Sequence, residues 1–143
     1  MVKSHMKRYE EIYHTADVAI KAYGRNLKEL FSNAAFGMFE IIADLDGLKK
    51  AITIDIKLTE DSTEELLVSW LDELLYNFYK KGIIFFDFDV ADMSENKIFA
   101  HAHGRYLREN RNRLKTEIKA VTYHNLNVKK TNEIYSVEIV FDV

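Results

Sequence analysis

The sequence predicts an α+β fold, a mostly antiparallel sheet or sheets with two main helices packed against them. In the first half, apolar residues recur at helical spacing in two stretches, each behind a capping residue. Through most of the second half they alternate with a period of two, as half-buried strands do. The chain has no proline and only five glycines, so its turns fall to Gly, Asn, Asp and Ser.

The opening strand runs from Asp17 to Tyr23 and stops at Gly24. Val18, Ile20 and Ala22 share one parity; Asp17, Ala19 and Lys21 share the other. A helix follows Asn26, a good N-cap, with Leu27, Leu30, Phe31, Ala34, Met38 and Ile41 on its buried stripe. Ile52, Ile54, Ile56 and Leu58 alternate with polar residues as a strand. Ser62-Thr63-Glu64-Glu65 is a capping box for a second helix, buried through Leu66, Trp70, Leu74 and Phe78 and closed by Gly82. Four strands are then expected, over 84–90, 97–108, 117–128 and 134–143.

The 143 residues suit one domain, 1–143, with 1–8 as a flexible N-terminal extension in which Ser4-His5-Met6 resembles a cloning scar. Composition is that of a soluble globular protein, 48% hydrophobic and 30% charged. There is neither a run of about 18 apolar residues nor a secretory signal, so no membrane partner and a cytoplasmic location are expected. With no cysteine, thiolate metal sites, thiol catalysis and disulfides are excluded. A formal charge of −3 argues against a broad basic face for nucleic acid, so any RNA contact is local or shared with a partner. Composition leaves the oligomeric state open.

Asp17 and Asp142 carry the most information about a site. On the last strand Tyr135, Val137, Ile139 and Phe141 take the apolar parity, leaving Ser136, Glu138 and Asp142 on the other, as Asp17 is on the first strand. If those strands are neighbours, both carboxylates project from the same side, and the α-carboxylate of Val143 adds a third anionic donor. Oxygen anions without thiolates suit a hard cation such as Ca²⁺ or Mg²⁺. The alternative is two solvated aspartates beside a frayed terminus.

Other candidates are read against plainer roles. His14 is either a turn histidine bonded to backbone or a contributor to that site. His124 shares parity with Ile118, Ala120 and Thr122, so a half-buried packing role is expected for it. Lys119, on the opposite parity, is a surface lysine or a partner for a carboxylate or phosphate. Asp87 and Asp89 are expected to point to opposite sides of their strand; His101 and His103 share a face, but no third ligand is evident. The basic run Arg105, Arg108, Arg111, Arg113 and Lys115, with Tyr106 inside it, is either an RNA- or partner-facing edge or a solvated, guarded sheet edge. No phosphate loop, nucleophile elbow, zinc-protease helix or EF-hand loop occurs.

From about Tyr9 onward the chain resembles the archease family. His14-Thr15-Ala16-Asp17 matches that family's opening strand, Gly24 through Ile42 its first helix, and Trp70-Leu71-Asp72-Glu73-Leu74-Leu75 its second. Glu117 through His124 and Phe141-Asp142-Val143 match two further blocks in order. The resemblance implies an accessory protein rather than an enzyme. It would be a cofactor of an RtcB-type GTP-dependent tRNA-splicing ligase, promoting guanylylation of the ligase histidine and multiple turnover. The same resemblance implies a divalent cation, usually Ca²⁺ with Mg²⁺ or Mn²⁺ as alternatives, held by Asp17, Asp142 and Val143, with His14, Lys119 and His124 in support. A second role implied by relatives is chaperone and modulator of a tRNA cytosine-5 methyltransferase. A metal-dependent phosphatase or nuclease using Asp17 and Asp142 is the enzyme alternative, and the sequence identifies no general base for it. Asp72 stands where relatives usually have Asn, and Asn110-Arg111-Asn112-Arg113 where they often have a His-Pro-Gly-like turn.

Overall fold

The computed structural model describes residues 6–12 and 17–143. The helices begin where their capping residues say they should. Asn26, in extended geometry, accepts the Glu29 amide at 2.8 Å and opens α1 (Leu27–Ile42). Ser62 accepts the Glu65 amide and donates to its carboxylate, both at 3.1 Å, and opens α2 (Thr63–Lys81). Gly82 ends α2 at φ 65°, a left-handed conformation that costs glycine least, and its amide returns to Phe78 O. At Gly24 the reason for glycine is space, because a Cβ there would overlap the Leu30 backbone as the strand turns into α1.

Eight strands form two antiparallel sheets among the described residues. One contains β1 (Tyr9–Ile12), β2 (Val18–Gly24), β6 (Ala120–Val121), β7 (Lys129–Thr131) and β8 (Ile134–Asp142), with β8 between β2 and the short β6 and β7. The other sets β5 (Lys97–Tyr106) between β3 (Ile52–Thr59) and β4 (Ile83–Met93). Both helices pack on both sheets, α1 mainly on β2 and β4, α2 on β3, β4 and β6. The fold class is the expected α+β.

One apolar core joins these layers. Ile20, Ala22, Val137, Ile139 and Phe141 enter it from the first sheet and Phe85, Phe88, Ala100 and Ala102 from the second. Trp70 is fully buried, with its indole N–H donating to Phe31 O at 2.9 Å, so the largest core side chain leaves no unpaired donor. The buried Asn33 is likewise satisfied, accepting from Arg8 and donating to Tyr23 O.

Three expectations are corrected. The strand expected over 117–128 is only the two-residue β6; Asn125 at φ 51° turns the chain off the sheet edge before β7 begins. The strand expected to reach Arg108 ends at Tyr106 in two 3-10 turns, Leu107–Glu109 and Arg111–Arg113. Arg8, expected within a flexible 1–8 extension, instead stacks over Phe36 at 3.8 Å and bonds Asn33.

Candidate functional site

The first and last strands are neighbours. β2 and β8 pair from Gly24↔Tyr135 to Val18↔Phe141, and the same register carried one residue further sets Asp17 opposite Asp142. Residues directly opposite in an antiparallel pair project from the same face. This is the outer face, since Val18 and Phe141 pack inward. Asp17 is half-buried and Asp142 exposed.

The end of β8 is held on its other edge too. Ala120 pairs with Asp142 and Val121 with Phe141. The Lys119 amide donates to Asp142 O at 2.7 Å, while the Thr122 amide and hydroxyl both donate to Val140 O at 3.0 Å. Phe141 and Val121 bury their side chains and anchor the strand that carries Asp142. Val143, 37% exposed, lies just past this clamp.

Two carboxylates on one sheet face would lower their mutual repulsion by sharing a cation. The donors present are hard oxygens, which fit Ca²⁺ or Mg²⁺ better than a thiophilic metal. No group of three His, Asp or Glu side chains with metal-holding geometry exists among the described residues. Asp17 and Asp142 would therefore need main-chain oxygen, such as that of Val143, and water to complete a cation's shell. The donor chemistry fits.

The supporting residues divide. His14 lies outside the described residues. Lys119 is exposed beside the site, tied there by its backbone. His124 is exposed in a turn, its amide on Thr122 Oγ1 at 3.3 Å and its ring near Asn125. That corrects the half-buried role expected for it, which required the strand to continue.

The three-stranded sheet brings together a cluster that the sequence pattern missed. Asp55 meets His101 Nδ1 at 2.6 Å, and Thr53 meets His103 Nδ1 at 2.7 Å. From β4, Asp89 pairs in register with His101 and Asp87 with His103. Lys50 bridges to Asp87 at 2.7 Å and holds its carboxyl below the ordinary range. Asp87 and Asp89, expected on opposite sides of their strand, share a face because they stand two residues apart. Each histidine has its own neighbour, so the pair does not converge on one point.

The basic run is not a continuous edge. Arg105 donates to Lys49 O, and Arg113 to Asp44 O and Asp46 O, so both fasten the 44–50 loop. Arg108 lies over Tyr106 and near Glu109. Arg111 and Lys115 instead line a groove beside the end of α2.

Residues 9–143 match the family model of the Archease protein family (MTH1598/TM1083). The chain belongs to the archease family. It is 40% identical to the protein archease of Methanosarcina acetivorans over 141 residues, covering 96% of this chain and 97% of that one. To the archease of Saccharolobus solfataricus it is 38% identical, covering 96% and 100% of the two chains. The solution structure of Methanobacterium thermoautotrophicum protein 1598 superposes with a TM-score of 0.84 at 31% identity, over 96% of this chain and all of that one. A Thermotoga maritima crystal structure, of an archease and possible chaperone, has the same fold with a TM-score of 0.65 at 22% identity, over 99% and 100% of the two chains. Among the described residues no helix of this archease is long and apolar enough to cross a membrane.

Proposed function

We propose that this archease is a non-enzymatic accessory factor that activates an RtcB-type GTP-dependent tRNA-splicing ligase, with a divalent cation, Ca²⁺ by preference, at Asp17, Asp142 and Val143. Membership of the family supports the reading, and one observation carries it: the β2–β8 register that sets two acidic side chains opposite each other at the exposed end of the sheet. The cation would supply positive charge to a partner's phosphate or carboxylate oxygens. The chain's own part is positional. The Lys119 and Thr122 bonds on one edge of β8 and Val18 on the other fix where Asp142 stands.

The test is multiple-turnover joining of tRNA halves by the cognate ligase with GTP, with and without this protein and its Asp142→Ala variant. The reading expects stimulation of turnover and of guanylylation by the wild type, and its loss in the variant. No stimulation of a ligase competent for one turnover would shift the reading to the second role, chaperone of a tRNA cytosine-5 methyltransferase. The description of the T. maritima relative as a possible chaperone lends that role support. Suppressed aggregation of the methyltransferase would then be the observation to seek.

A further inference from the structure

Away from the carboxylates, the C-terminal end of α2 and the segment after β5 enclose a groove of about 660 Å³. Ile42, Phe78, Leu107 and Leu114 give it an apolar lining, and Lys80, Lys81, Arg111 and Lys115 stand around it. Glu117 is the acidic residue among its walls. This is a concentration of positive charge on a chain of net charge −3.

Part of that charge has a local explanation. Lys80 and Lys81 sit in the last turn of α2, where cations offset the helix dipole. Arg111 and Lys115 have no such use, and neither forms an ion pair with a described carboxylate. Leu114 is 41% exposed although its backbone is fixed rather than looped out. It bridges Ala43, and the flanking amides of Lys115 and Thr116 donate to Ile42 O and Ile41 O at 2.8 and 3.2 Å. The opposite wall is pinned by the Leu107 amide on Gly82 O at 2.7 Å. An exposed leucine on a pinned backbone, ringed by cations, makes a preformed receptor rather than a floppy surface.

We propose that this groove docks an acidic amphipathic segment of a protein partner, its apolar side chains on Leu114 and the exposed ring of Tyr79 and its carboxylates on Arg111 and Lys115. The proposal does not depend on which enzyme the archease serves. Charge complementarity selects the occupant. A single-stranded nucleic acid would want open aromatic platforms. Of the aromatic residues lining the groove, Tyr79 is 50% exposed and Phe78 is buried, so there is one ring rather than a row of them, and the Tyr79 hydroxyl is held by Ile118 O at 2.6 Å. A second copy docked by two-fold symmetry would bring two basic rims together.

The experiment is an NMR titration of the isotope-labelled full chain with two synthetic helical peptides of identical apolar pattern. One carries Glu at its polar positions and the other Lys; a short oligouridine forms the third arm. The acidic peptide should shift amides of 78–82 and 107–117 and bind at least about tenfold more tightly than the basic one. Leu114→Asp should remove the binding, and Arg111→Glu with Lys115→Glu should invert the preference between peptides. All three positions are exposed, so the wild-type pattern of remaining amide shifts will show that the variants fold. No binding of the acidic peptide, shifts outside the groove, tighter binding of oligouridine, or groove shifts that grow with protein concentration alone would each overturn the proposal.

Discussion

The outer faces of the two sheets are both rich in charge, and they treat it in opposite ways. On the three-stranded sheet, acids face bases or hydroxyls across the register: Asp55 meets His101, Asp87 meets Lys50, and His103 meets Thr53. At the end of the five-stranded sheet the register, carried one residue past Val18↔Phe141, brings Asp17 opposite Asp142, acid against acid. The first arrangement neutralises itself and offers little to an outside ligand. The second places two acids on one face, an arrangement that a shared cation would relieve. A dense cluster of titratable residues is thus a weaker sign of a binding site than two like charges that the backbone forces together.

The largest effect that sharpens this contrast comes from below the carboxylates. Phe141 is fully buried and pairs with Val18 and Val121, so Phe141→Ala should destabilise the fold by about 3–5 kcal/mol. Phe99, half-buried beside His101 on the other sheet, should cost well under half as much when cut to alanine; chemical denaturation of both variants measures this.

A smaller effect has a telling sign. In chelated buffer, Asp142→Asn removes one of two opposed charges and should stabilise the protein by about 0.2–1 kcal/mol. His101→Ala, which removes an attractive pair, should destabilise by up to about 1 kcal/mol. If Asp142→Asn proves destabilising without metal, the two carboxylates are not in opposition.

The smallest effect is a pH dependence. Lys50 depresses the Asp87 pKa in the folded state, so that contact adds stability above the unfolded carboxylate pKa and loses it as pH falls through the folded value. Lys50→Ala should therefore lower stability slightly and evenly between neutral pH and about 5, with the deficit closing below about pH 4, as thermal melts across pH would show.

How far the sequence could anticipate this follows from what fixes each element. Both helices were legible to the residue at their starts, because Asn26 and Ser62 act locally. Parity correctly placed Asp142 on the outward side of its strand, but nothing local fixes which strands are neighbours. The stretch 117–128 misled because Ile118, Ala120 and Thr122 alternate like a strand. Only Ala120 and Val121 pair, and the chain then leaves to let the Val128 amide reach Glu64 on α2 at 2.9 Å. β1 escaped notice because a four-residue edge strand with two adjacent glutamates shows little alternation. The groove was hidden because its basic residues come from two distant segments, one read as a helix end and the other as part of a basic run.

The central claim is that Asp17 and Asp142 together hold a cation, and calorimetric titration of chelator-stripped protein with CaCl₂ tests it most directly. Wild type should bind one Ca²⁺ per chain, while Asp17→Asn and Asp142→Asn should each abolish the heat or weaken it by more than about tenfold. His101→Ala should bind as wild type does. Undiminished Ca²⁺ binding by either aspartate variant, or none by the wild type with Ca²⁺, Mg²⁺ or Mn²⁺, would contradict the account.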